Sequence, residues 1–195
     1  MSFTNPLHSS VGNGRKSDFS ALGPALNNPT KTGPSQCRRV PQTPYASRSD
    51  HVQPVHNAIT FDYIGYPNQG MPLRELRARG PHALAQMMQG ANDQVLGHTQ
   101  LRKINLHIRW PGYEHIEWIH TIDVVTESGP ISRGQLAHAV AQNFVRYVEK
   151  TQYEATPSKD WRLGPAGIVF EHIVLHSLHH VFGDAWQAEV SVSFR

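Results

Sequence analysis

The chain has 195 residues, a net charge of +3 and 38% apolar residues, enough for one domain but lean for a chain packed along its whole length. No run approaches the roughly 18 apolar residues of a membrane helix, residues 1–30 lack the apolar stretch of a signal peptide, and the single cysteine, Cys37, rules out an intrachain disulfide. Residues 1–58 carry six Lys/Arg against two Asp/Glu, leaving twelve against thirteen beyond, which disfavours a folded domain with a strongly basic nucleic-acid face. The expectation is a cytoplasmic or nuclear protein with no membrane segment.

Residues 1–57 hold seven prolines and no apolar period of 2 or 3.6, so burial cannot offset the entropy of ordering them. They read as a disordered basic arm, with Cys37 an incidental thiol. Gly12-Asn13-Gly14-Arg15-Lys16-Ser17 contains fragments of a phosphate-binding loop but lacks its spacing and a preceding strand. Arg15, Lys16, Arg38 and Arg39, with Lys31 and Arg48, form the candidate contact for nucleic acid or another polyanion, weak and steeply salt-dependent.

One domain is expected over residues 58–195. Ala58 to Tyr66 is β-prone, and Met71–Arg79 and Pro81–Gln89 read as two short helices broken at Gly80, with Leu73, Leu76, Leu84 and Met88 inward. Lys103–Trp110 alternates strictly, with Ile104, Leu106, Ile108 and Trp110 on one face, and Ile116–Val124 alternates again after the Pro111-Gly112-Tyr113 turn. Together they predict an antiparallel hairpin, on which His120 intrudes among the inward residues.

Ser132 and Gln135 have capping-box spacing. The next eighteen residues form the strongest helical pattern in the chain, with Leu136, Ala137, Val140, Ala141, Phe144, Val145, Tyr147 and Val148 on one half. Thr151–Pro165 reads as a loop anchored by Trp161. Gly167–Phe182 is ambiguous: Ile168–Val174 is β-branched, while Val174, Leu175, Leu178, Val181 and Phe182 share a helical face. The spacing predicts a short strand and then a helix from about His172. Ala185–Phe194 alternates as a closing strand. The predicted class is α+β: an antiparallel sheet of about four strands, one long and one short helix on one face, and the disordered arm in front.

The phrase from Ile104 to Ile116, with its Trp110-Pro111-Gly112-Tyr113 turn, and the run through Trp161, Gly164, Ile168, Phe170-Glu171, Leu175, Leu178, Val181 and Trp186-Gln187 resemble uncharacterised short proteins of mushroom-forming basidiomycete fungi. Those pair a low-complexity leader with one small α+β domain. The resemblance spans about residues 100–190 and implies the domain boundary but no catalytic residue.

Chemistry is sparse. No Gly-x-Ser-x-Gly elbow, His-Glu-x-x-His helix or Cys-x-x-Cys pair is present. Ten of the thirteen histidines lie beyond the arm. On the predicted C-terminal helix His172, His176 and His180 would share one face and could bind Zn, Ni or Cu; the simpler reading makes them its polar side. His120 is the candidate base for a dispersed catalytic site, the simpler reading being a hydrogen-bonded core histidine. The favoured function is a non-enzymatic protein-binding or scaffolding module; the alternatives are a histidine-based enzyme and polyanion attachment through the arm.

Overall fold

The first helical signal to organise the structure is the capping box. In the computed structural model, which describes residues 37–41, 56–127 and 129–194, the Ser132 hydroxyl accepts from the Gln135 backbone N–H at 3.3 Å, and the Gln135 side chain accepts from the Ser132 N–H at 2.9 Å. Helix α3 (Arg133–Thr151) follows, and every residue placed inward by its periodicity is buried. Two polar residues on that buried side bond back to the preceding turn: Asn143 Nδ2 to Ala139 O at 2.9 Å and Thr151 Oγ1 to Tyr147 O at 2.7 Å. Helices α1 (Leu73–Ala78) and α2 (Pro81–Met87) flank the Gly80 break, with Pro81 at the first helical position.

Helix α3 lies against α1, α2 and strands β4 (Lys103–Ile108) and β5 (Trp118–Asp123). The β4–β5 hairpin is antiparallel as expected, with Ile104 opposite Ile122 and Leu106 opposite His120. Beyond it the sheet exceeds the expectation. Seven strands, not four, form a mixed sheet in the order β2-β8-β9-β4-β5. Here β8 is Ile173–Phe182 and β9 is Ala185–Ser193. Strand β9 runs antiparallel to β8 and parallel to β4. The short strands β2 (Ile59–Thr60) and β3 (Met71–Pro72) line the free edge of β8. Strand β1 (Cys37–Arg39), expected in the arm, pairs with β9, and Val40 after it is buried. Cys37–Val40, ahead of residue 58, thus pack onto the sheet, within a compact unit Ser35–Arg195. A separate hairpin joins β6 (Val125–Thr126) to β7 (Gly129–Pro130).

The predicted C-terminal helix is strand β8. Register shifts between Leu175 and Ser177 and between His180 and Phe182 leave His176 and Val181 as extra residues in bulges. Ile173 and Leu175 face inward before the first bulge, opposite Val192 and Val190, and Leu178 and His180 after it, opposite Ala188 and Trp186. Two period-2 runs offset by one residue imitate a helical spacing, and that imitation misled the periodicity. The Thr151–Pro165 segment is held as expected: Trp110 Nε1 donates to Trp161 O at 2.8 Å, and Leu163 N to the Tyr113 hydroxyl at 3.0 Å.

Candidate functional site

Strand geometry separates the histidines expected to act together. Four residues along a strand cover about 13 Å, against one turn of a helix. His172 closes a 3₁₀ turn, where its Nδ1 accepts from Val169 N at 3.3 Å, with its ring 5.0 Å from that of Phe194. His176 occupies the first bulge, 2.7 Å from the Ser191 hydroxyl. His180 faces inward with Nε2 3.0 Å from Gly183 O; a carbonyl only accepts, so Nε2 carries the proton. The structure does not bring His172, His176 and His180 together on one face, and among the described residues no group of three or more His, Cys, Asp or Glu is placed to hold a metal ion.

The outer sheet face carries a polar network that local periodicity missed. Ser191 Oγ lies 2.8 Å from Cys37 Sγ and 2.7 Å from His176 Nε2. One register step away the Ser177 hydroxyl donates to Glu189 Oε2 at 2.7 Å, and His179 Nε2 lies 2.8 Å from Ser177 Oγ and 3.2 Å from Glu189 Oε2. A hydrolytic triad needs serine and carboxylate on opposite ring nitrogens. Here both meet Nε2, and serine gives its proton to the carboxylate. The set therefore anchors Glu189 instead of activating Ser177. Burial raises the Glu189 pKa, but the Ser177 and His179 hydrogen bonds and the Arg39 charge together outweigh it and hold the carboxyl below its usual range.

The same contacts revise the polyanion reading of the arm. Arg39 is ion-paired to Glu189, and Arg38 stacks 4.2 Å over the Trp161 ring and lies 3.7 Å from Asp160. Both guanidiniums are used within the fold. Arg15 and Lys16 lie outside the described residues, as do Lys31 and Arg48.

At the β8–β9 turn the His56 ring lies 4.8 Å from His180, 5.5 Å from His98 and 6.0 Å from Trp186, stacked on the last. Burial lowers the His56 pKa, and the positive charges that His180 and His98 would carry lower it further. Burial likewise lowers those of His107 and His176, with Arg39 adding to the shift at His176. The unfolded chain thus binds more protons than the folded one below the ordinary histidine value near 6.5. The stability these groups contribute is full above about pH 6.5 and is lost as pH falls through their depressed folded values. Thermal melts are expected to be flat from pH 8 to 7 and to fall from pH 6.5 to 5; a melting temperature that rises on acidification would contradict the shifts.

His120 faces the helical layer, as expected, and is half-buried on edge strand β5. Its side chain makes no hydrogen bond to a described residue, so the orienting carboxylate of a catalytic base is missing.

Two surface depressions among the described residues offer concave surface. One, of about 360 Å³, is lined by Tyr63, Ile64, Tyr66, Gln69, Gln86 and Met87. Its wall is the excursion 61–70 between β2 and β3, clamped by Ile64 N to Met87 O at 2.9 Å, Gln89 N to Asp62 O at 2.9 Å and Gly70 N to Asp62 Oδ1 at 3.0 Å. The clamps hold Ile64 and Tyr66 in solvent, 50% and 60% exposed. The other, of about 280 Å³, lies between α1 and α3 and is lined by Arg77, Gln142, Val145, Arg146 and Glu149.

No protein-family model, curated protein or solved structure matches the chain. Among the described residues no helix is long and apolar enough to cross a membrane.

Proposed function

We propose that the Ser35–Arg195 unit is a non-enzymatic protein-binding module that docks a short peptide segment bearing an apolar anchor in the Tyr63–Met87 cleft. The observation that carries this reading is the pair of large apolar side chains, Ile64 and Tyr66, held in solvent by a backbone-bonded loop. Tyrosine supplies contact area at low entropic cost and is enriched among the residues that dominate binding energies. Gln69 and Gln86 offer amides to the peptide backbone at the rim. The alternatives have less support: His120 lacks an orienting partner, and the serine and histidine side chains of the sheet face are bonded to one another.

A displayed-peptide selection on the full chain tests the assignment. Selected peptides are expected to share an apolar or aromatic anchor and to bind the Ile64→Ala/Tyr66→Ala double variant at least tenfold more weakly, about 1.4 kcal/mol or more. The variant should melt within error of wild type, because both residues are exposed. Equal affinity for the two proteins would remove the cleft as the docking site.

A further inference from the structure

The depression between α1 and α3 has a different chemistry. Arg77 sits in the last turn of α1, and Arg146 projects from the exposed side of α3. Among the described residues the arginine ion pairs involve Arg38, Arg39, Arg79 and Arg133. Arg77 and Arg146 take part in none, and neither makes a side-chain hydrogen bond to a described residue. Glu149, one turn beyond Arg146, lines the same groove without pairing to either. The chain beyond the arm is slightly acidic overall, so two unpaired guanidiniums in one groove are a local feature.

One lining side chain, Gln142, is already held in place. His138 Nδ1 lies 2.9 Å from Leu76 O, and a carbonyl only accepts, so Nδ1 carries the proton. An amide nitrogen only donates, so His138 Nε2 accepts from Gln142 Nε2 at 2.8 Å. That chain ties α1 to α3 and fixes the Gln142 amide beside the two arginines, with its second N–H and its oxygen free for a ligand. Buried Val145 makes an apolar wall. Two forked donors and a fixed amide match a tetrahedral oxyanion, whose oxygens accept the parallel N–H bonds that guanidinium supplies and ammonium does not.

We propose that the α1–α3 groove binds a phosphomonoester, free or carried on a side chain, through Arg77, Arg146 and Gln142, with Glu149 limiting affinity for the dianion. The inference is independent of the apolar cleft.

Titration of the full chain with inorganic phosphate and with a phosphoserine peptide, followed by NMR shifts of the arginine Nε–H signals at near-physiological salt, tests it. Saturable shifts of the Arg77 and Arg146 signals are expected with at least one probe, the tighter probe identifying the source, and none with the unphosphorylated peptide. Arg77→Gln/Arg146→Gln should weaken binding at least tenfold, Arg77→Lys should weaken it severalfold because a point charge replaces a fork, and Glu149→Gln should tighten it severalfold. All three variants should keep the wild-type melting temperature. Absence of saturable shifts with both probes at 10 mM, or equal binding by the double arginine variant, would overturn the proposal.

Discussion

Phe144→Asp is expected to abolish the cooperative thermal transition. Phe144 is 1% exposed at the middle of α3, between the sheet and the short helices. Truncating a buried phenylalanine costs about 3–5 kcal/mol, and leaving an unpaired carboxylate there adds several more unless it takes up a proton. The sum is comparable with the entire stability of an ordinary domain, about 5–15 kcal/mol. Val140→Asp, one turn earlier and fully buried, should behave alike, whereas Arg146→Ala on the solvent side should stay within about 0.5 kcal/mol of wild type. Circular dichroism melts of the four proteins check this; a cooperative, wild-type transition in either aspartate variant would show that α3 does not organise the core.

Gly70→Ala should cost about 2–4 kcal/mol, from a left-handed backbone and an overpacked contact. Gly70 has φ +71°, and a Cβ there would stand 2.6 Å from Leu175 O and 2.7 Å from His176 Nδ1. Neither neighbour can retreat easily: Leu175 is paired to Met71 and Val190 in the sheet, and His176 is bonded to Ser191. Gly65, with φ +81° but open space around it, isolates the backbone contribution, and Gly65→Ala should cost only about 1–2 kcal/mol. Urea unfolding midpoints of the two variants distinguish them; equal losses would mean that the close approach at His176 contributes nothing.

What could be read from the chain depended on how local the cause was. The capping box, the inward arc of α3 and the alternation of β4, β5 and β9 are written within a few residues of where they act, and each appears in the structure. Strand β8 failed because its two bulges replace a clean period of 2. Strand β1 failed for another reason: Cys37 meets Ser191 across 154 residues, and a three-residue edge strand has no periodicity of its own. The sheet-face network inherits both failures. Ser177 and His179 share a face only once β8 is a strand, and Glu189 and Arg39 reach them only through tertiary pairing. Arg146 falls on the polar half of the α3 pattern, but the groove it shares with Arg77 depends on α1 packing against α3, which no local pattern encodes.

The His176 bulge makes the hairpin indifferent to a particular change in length. On either side of it the pairing already agrees with an uninterrupted ladder: inward Leu175 is opposite Val190 and outward Ser177 is opposite Glu189, two neighbours on β9 separated on β8 by a single spare residue. A chain without that residue would present the same inward set to the core, while one residue gained or lost at a regularly paired step would turn every later side chain over. His176 is thus carried by the strand without being needed for its phase. Its identity is free to answer to Ser191, Cys37 and the close-packed Gly70 instead of to the folding pattern.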